Sequence, residues 1–215
     1  LTSKFIKSGA NDFLSKPFYH EEFYCRIMQN LESQEMIQTI RNSANLDPLT
    51  KVYNRRFLYE KADELFSRKA TRSNVIVSMI DADNFKGVND TYGHKTGDVL
   101  LQEFSALMKD YFPDDLIVRY GGEEFTVVSV RPPKVYLSAL SAFMDAVRTT
   151  QFTNHKFNIT CSIGVCAEEH PSLESQLEVA DARLYNAKRV KLSMKTAVLL
   201  IVLKCQNLLR VSVNY

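Results

Sequence analysis

Cysteine is sparse and unpaired in this 215-residue sequence. Cys25, Cys161, Cys166 and Cys205 form no C-x-x-C pair, so neither a zinc knuckle nor a disulfide framework is indicated, and reduced thiols in the cytoplasm are the expectation. Long apolar runs are missing too. The longest, Ala197 to Leu203, falls far short of the roughly 20 residues that span a bilayer, and the opening residues lack a signal-peptide pattern. No membrane association is expected. Basic residues form no cluster apart from the acids around them, and the formal net charge is only +2, which argues against a nucleic-acid partner. Glycine numbers only seven, yet five of the seven fall between Gly87 and Gly122. That stretch is where the backbone must turn sharply or something must approach it closely.

What is present is a globular balance, 45% hydrophobic and 24% charged. The length suits one full domain plus a piece of another, and a chain opening on Leu1 without methionine reads as part of a longer protein. "KFIKSGANDFLSKPF" reads as a short strand and turn. A helical pattern follows from about His20, with Phe23, Ile27 and Leu31 and then Ile37, Ile40 and Ala44 on its apolar side, until Asp47-Pro48 stops it. Fewer than three clean heptads are present, so a coiled coil and a solvated connector both remain open.

Beyond the stalk, "NRRFLYEKADELFSRKA", "GDVLLQEFSALMKDYF", Pro133 to Thr149 and Leu173 to Lys188 read as amphipathic helices. "NVIVSMIDA", Leu116 to Tyr120, Phe125 to Val130 and "FNITCSIGVCAE" read as strands, the middle two joined through a glycine turn. Strands alternating with helices around a central hairpin predict an α/β fold with a mixed or antiparallel sheet.

The glycine-rich stretch is interleaved with Asp81, Asp83, Asp90, Asp98, Glu123 and Glu124. Counted from Asp81, "DADNFKGVNDTYGHKTGD" puts Lys86 and Tyr92 where a calcium loop needs glycine and glutamate, and Gly97 is followed by Asp98 where a phosphate loop needs lysine. A third reading survives. Asp81 closes a buried strand, Glu123 and Glu124 flank a hairpin turn, and carboxylates converging at a sheet edge suit magnesium shared with substrate phosphates. Solvated turn residues would look the same, and spacing alone leaves both open.

Four stretches, in chain order "DPLTKVYNRR", "DADNFKGVNDTYGHKTGD", "RYGGEEF" and "ADARLYNAK", resemble the GGDEF family of diguanylate cyclases in that family's order, over about Asp47 to Lys188. The opening "GANDFLSKPF" is similar to the end of a two-component receiver domain, with Lys16 before proline. The resemblance implies a nucleotide-cyclase-like, ferredoxin-like palm and a division into receiver end (1–31), helical linker (32–46), catalytic domain (47–189) and atypical tail (190–215). It implies condensation of two GTP molecules into cyclic di-GMP, a bacterial second messenger, with release of pyrophosphate across a homodimer. Two magnesium ions per site are implied, with manganese an alternative, and in the full-length protein an upstream receiver and its histidine kinase.

Carried over residue by residue, Asp81, the Ala82 carbonyl, Glu123 and Glu124 would hold metal, with the two glutamates also catalytic. Asn84, Phe85, Lys86 and Lys188 would hold phosphates, and Asn89 and Asp98 would read guanine. A carboxylate can accept from both the ring N–H and the exocyclic amine of guanine, a donor pair adenine lacks. Blander roles compete: Asn89 as a turn residue, Asp98 as a helix N-cap before "VLLQEF", Lys188 as a solvated helix-end cation. His94 receives no catalytic role. Asp47, Asn54 and Arg55 read as architectural, and Cys161 and Cys166 as small core residues.

Two departures stand out. The family's inhibitory R-x-x-D frame reads "FPDD", with Phe112 in place of arginine and Asp115 retained, and a ring cannot make arginine's bidentate contact. After "YNAK" the chain reads "RVKLSMK", so Lys191, Leu192 and Ser193 replace the family's Gly-Arg-Asn, as an altered terminus would. Either an active cyclase or a catalytically impaired GTP-binding or protein-interaction module follows.

Overall fold

The computed structural model describes residues 13–14, 16–66 and 74–194. The strand expected before residue 13 and the tail after residue 194 lie outside the described residues. The chain divides into two compact units, Leu1–Asn45 and Leu46–Tyr215. In the first, helix α1 spans His20–Asn45 and opens on Glu21 and Glu22, whose charge suits a helix N-terminus. Phe23, Tyr24, Ile27, Leu31, Met36 and Ile37 on it are exposed.

The second unit is a five-stranded mixed sheet with helices on both faces. Its elements are β1 (Tyr53–Asn54), α2 (Arg55–Phe66), β2 (Ile76–Ala82), α3 (Phe85–Tyr92), α4 (His94–Tyr111), β3 (Leu116–Gly121), β4 (Glu124–Ser129), α5 (Pro133–Thr149), β5 (Cys161–Cys166) and α6 (Leu173–Met194). The strand order is β1-β3-β4-β2-β5. Among the described strands only β1 with β3 is parallel, and the other three pairings are antiparallel. β2 is an interior strand, paired with β4 and β5, and all seven of its residues are buried, as its near-continuous apolar sequence requires.

Alternation along the strands builds two cores. Ile76 and Ile80 of β2 join Phe125 and Val127 of β4 beneath α4 and α5, where Phe104, Phe112, Tyr136 and Phe143 pack as a cluster of rings. Val77 and Met79 join Val128 on the other face, under Leu58 of α2 and Leu177 and Leu184 of α6. Each such fully buried large side chain contributes about 1.5–3 kcal/mol. Cys161 and Cys166 are buried in β5, in line with the core reading, and burial first of all pushes the Cys166 thiol up to about 12.

The structure differs from the sequence expectation in the glycine-rich stretch. Phe85–Tyr92 forms a helix, so Asn89 lies inside a helix and is not a turn residue. Helix α4 starts at His94, with Gly93 before it at φ 85°, so Asp98 sits inside the helix and cannot be its N-cap. The reason is local: a glycine free to adopt positive φ breaks the chain between α3 and α4 several residues before Asp98. Gly97, inside α4, is required for a different reason. A Cβ there would lie 2.0 Å from Asn89 Oδ1, so the glycine leaves the space that the Asn89 side chain occupies.

Candidate active site

The "DPLTKVYNRR" segment is built as an anchor. Asp47 Oδ1 accepts from the Thr50 backbone N–H (2.9 Å) and hydroxyl (2.7 Å), Lys51 takes φ 56° to complete the turn, and Asn54 Oδ1 accepts from the Phe57 N–H at 3.0 Å to cap α2. Arg119 reaches the same carboxylate at 3.1 Å and donates through Nε to the Gly122 carbonyl at 2.9 Å. One arginine thus ties the Asp47 turn to the glycine turn. Burial opposes ionisation of Asp47, but the Thr50 hydrogen bonds and Arg119 outweigh it and hold the carboxyl below its usual range. Next to Arg119, the Tyr120 hydroxyl lies 3.1 Å from that of Tyr59, and Arg55 stacks 4.4 Å over the Tyr120 ring.

The turn between β3 and β4 is bare. Gly122 has φ 50°, which asks for glycine, but a Cβ on either Gly121 or Gly122 would meet nothing within 4 Å. Nothing in the protein's own packing accounts for glycine at 121. Space beside the turn is the remaining use for it.

Asp81 ends β2 next to this turn. The β2–β4 register places Glu124 directly opposite Asp81, and the Ala82 N–H donates to the Glu123 carbonyl at 3.3 Å. Of the two turn glutamates, the ladder pairs Glu124 with Asp81, and Glu123 lies one residue outside the paired strand. Burial pushes the Asp81 carboxyl up to about 6, against the pull of Lys188, while the charges of Glu123 and Asp83 add to the rise. Lys188 Nζ lies 2.7 Å from Asp81 Oδ2. The lysine is therefore neither a solvated helix end nor spare.

Asp83, to which the sequence assigned no role, accepts from the hydroxyls of Thr160 (2.8 Å), just before β5, and Ser162 (2.6 Å), within it. Asn84, at φ 59°, precedes α3, whose first-turn N–H groups lie outside the helical ladder and face anions readily. The Asn84 side chain lies over Gly87, where a Cβ would be 2.4 Å from Asn84 Oδ1. Phe85 and Lys86 open the helix, Lys86 exposed. Asn89 Oδ1 is buried with no hydrogen-bond partner among the described residues. Asp98 is exposed on α4.

Two clefts flank the Asp81 edge. One of about 500 Å³ is lined by Glu124, Asp181, Tyr185, Asn186 and Lys188. Another of about 490 Å³ is lined by Asp83, Asn84, Gly87, Thr91, Phe157 and Thr160 among others. Neither is lined by Asn89 or Asp98.

Among the described residues no three His, Cys, Asp or Glu side chains come together as a ready-made metal site. Oxygen donors at Asp81, Glu123 and Glu124 nevertheless fit a hard divalent cation that takes its remaining ligands from substrate phosphates and water. A cation already sits on the Asp81 carboxylate in the form of the Lys188 ammonium, which shows the electrostatic demand of that position.

The frame at Phe112 and Asp115 is filled from within. Phe112 is fully buried against Tyr136 and Phe143. The Asp115 side chain is 1% exposed and paired with Arg131, whose guanidinium stacks over the Phe112 and Tyr136 rings. Sequence reasoning missed Arg131 because the pair joins the start of β3 to the residues just after β4.

On the other face of the sheet, Gly164 of β5 is the missed positioning residue. A Cβ there would lie 2.0 Å from the Ala180 carbonyl oxygen and 2.3 Å from the Leu184 nitrogen, so α6, which carries Lys188, rests directly on the strand. Arg183 further clamps α6 to Glu168 (2.8 Å) and to the Val165 carbonyl (2.5 Å).

A mixed five-stranded α/β sheet with acids at the end of a buried interior strand, beside a bare glycine hairpin, defines a nucleotide-cyclase-like class of site. The family profile "Diguanylate cyclase, GGDEF domain" matches residues 44–193, and the chain belongs to that family. Response regulator PleD of Caulobacter vibrioides is 32% identical over 204 residues, covering 86% of this chain and 44% of PleD. Diguanylate cyclase DosC of Escherichia coli is 34% identical over 160 residues, 69% of this chain and 34% of DosC. The chain thus spans less than half the length of these curated relatives. Among solved structures, the coiled coil and GGDEF domain of DgcB from Caulobacter crescentus, in complex with c-di-GMP, superposes with a TM-score of 0.70 at 27% identity, over 79% of this chain and 94% of that one. Diguanylate cyclase SiaD from Pseudomonas aeruginosa, in complex with its activator SiaC, gives 0.67 at 32% identity, over 79% and 68%. Among the described residues no helix is long and apolar enough to cross a membrane.

Proposed function

We propose that the chain is a diguanylate cyclase that condenses two GTP molecules into cyclic di-GMP as a homodimer. The observation that carries this reading is the meeting of Asp81, Glu123, Glu124 and Lys188 at one sheet edge beside a glycine turn that the protein's own packing leaves open. In this reading Asn89 and Asp98 select guanine, and the orphaned Asn89 Oδ1 accepts from the base. The backbone at Asn84, Phe85 and Lys86 holds phosphate oxygens at the N-terminus of α3, and Lys188 neutralises the triphosphate. Asp81, the Ala82 carbonyl, Glu123 and Glu124 would hold two magnesium ions, or manganese. Bound there, the metals would supply charge neutralisation and a lowered pKa at the attacking 3′-hydroxyl. Glu123 takes the proton from that hydroxyl as it attacks the α-phosphorus, and pyrophosphate departs. Each subunit holds one GTP, so one copy is a half-site. In the full-length protein, a receiver domain answering to a histidine kinase in the cytoplasm would control how the halves meet.

Feedback by product through the Phe112–Asp115 frame is absent in this reading, because Asp115 is buried and its charge is taken by Arg131. The altered sequence after Arg189 favours a second reading, an impaired GTP-binding module. In the described part of that stretch the Arg189 guanidinium lies 5.9 Å over the Tyr185 ring. Incubation with GTP and magnesium, read by mass spectrometry, separates the two. Cyclic di-GMP that disappears in Glu123→Gln supports the cyclase, whereas GTP bound without turnover supports the module.

A further inference from the structure

A buried carboxylate must find a cation or give up its charge. The Asp81 side chain is 8% exposed, and the ammonium that meets it comes from α6, with Nζ 2.7 Å from Oδ2. The two partners differ in freedom. Asp81 is fixed near the end of a strand paired on both sides, while the Lys188 side chain is 36% exposed and carries its charge on a flexible stem that can swing at little cost. The same lysine lines the cleft bounded by Glu124, Asp181 and Asn186.

A divalent cation on Asp81 Oδ2, with a metal–oxygen bond of about 2.1 Å, would lie no more than about 5 Å from the ammonium that stands 2.7 Å from the same oxygen, where the two repel in a partly buried site. Both cannot be held there at full strength. We propose that Lys188 is a counter-ion which a divalent metal displaces from Asp81, so that metal entry and delivery of the Lys188 ammonium to the triphosphate are a single exchange. This rests on the cyclase reading of the site. It adds that the ion pair suppresses metal binding in the absence of nucleotide, and that the triphosphate, by receiving the released ammonium, removes the suppression. The charges facing the pair fit such an exchange. Glu123 and Asp83 both act on Asp81, and Glu124 stands opposite it in the ladder, so the edge is left strongly negative once the lysine departs.

The test uses the nucleotide-free chain and Mn2+ alone at pH 8. Free Mn2+ measured by electron paramagnetic resonance should show Lys188→Met binding the ion about tenfold more tightly than the unaltered protein, the scale of one charge-assisted hydrogen bond removed. In parallel, amine labelling read by peptide mass spectrometry should show Lys188 protected without metal and several-fold more reactive once Mn2+ is bound. In Asp81→Asn the lysine should label freely with or without the ion. Mn2+ binding that leaves Lys188 labelling unchanged overturns the exchange, as does equal or weaker binding by Lys188→Met. No binding by either protein at millimolar Mn2+ overturns it too. In that case GTP binding in the presence of Mn2+ would leave the cyclase reading standing, and loss of GTP binding would remove both.

Discussion

Asp47 shows how much a single side chain can organise at the residue scale. Its carboxylate closes its own turn through Thr50 and holds Arg119, whose Nε fixes the carbonyl of Gly122 at the bare turn. The hydrogen bonds and the guanidinium depress its pKa against burial, so the sign of the pH effect is fixed. Stability from this group is fully present above the ordinary carboxylate pKa and is lost as pH falls through the depressed folded value. Asp47→Asn should therefore cost about 1–2 kcal/mol near neutrality, and the gap from the unaltered protein should close below about pH 4. Denaturant melts across pH check this, and a gap independent of pH would remove the ion pair from the account. The motif was legible as architecture. That its anchor is an arginine inside "RYGGEEF" was not, because 72 residues separate the partners.

At the scale of elements, the seating of α6 on β5 decides where Lys188 arrives. Gly164 permits contact between strand and helix backbone, and the nearest neighbours of a Cβ there are main-chain atoms that cannot rotate away. Gly164→Ala should cost about 1–3 kcal/mol or more through overpacking, seen as a midpoint lowered by several degrees. It should also weaken GTP binding, since the displaced helix carries Lys188. Calorimetry with GTP titration checks both, and an unchanged midpoint would show that the close approach is not needed. Periodicity found the long helices and the hairpin. It missed α3, although Phe85, Val88 and Tyr92 stand at helical spacing, because Gly87 and Gly93 read as loop punctuation.

For the whole molecule, the proposed reaction needs two copies, and nothing in one copy supplies the second nucleotide. Specific activity should rise with chain concentration, and it should persist as cyclic di-GMP accumulates because Asp115 is closed off by Arg131. Initial rates over a dilution series, with and without added product, measure both. Rates strictly linear in enzyme would contradict the half-site, and strong inhibition by product would contradict the closed frame.

Sequence by itself determined the family-bearing motifs, the alternation of helices and strands, and the acids at a strand end. Spacing within a short segment carries that information, since side-chain chemistry and backbone preference are local. Only the tertiary structure decided which groups meet. The ladder register put Glu124 opposite Asp81, a glycine on β5 let α6 bring Lys188 onto the same carboxylate, and an arginine after β4 closed Asp115. Those pairings join residues far apart in the chain, and their energies exist only once the cores that position them have formed.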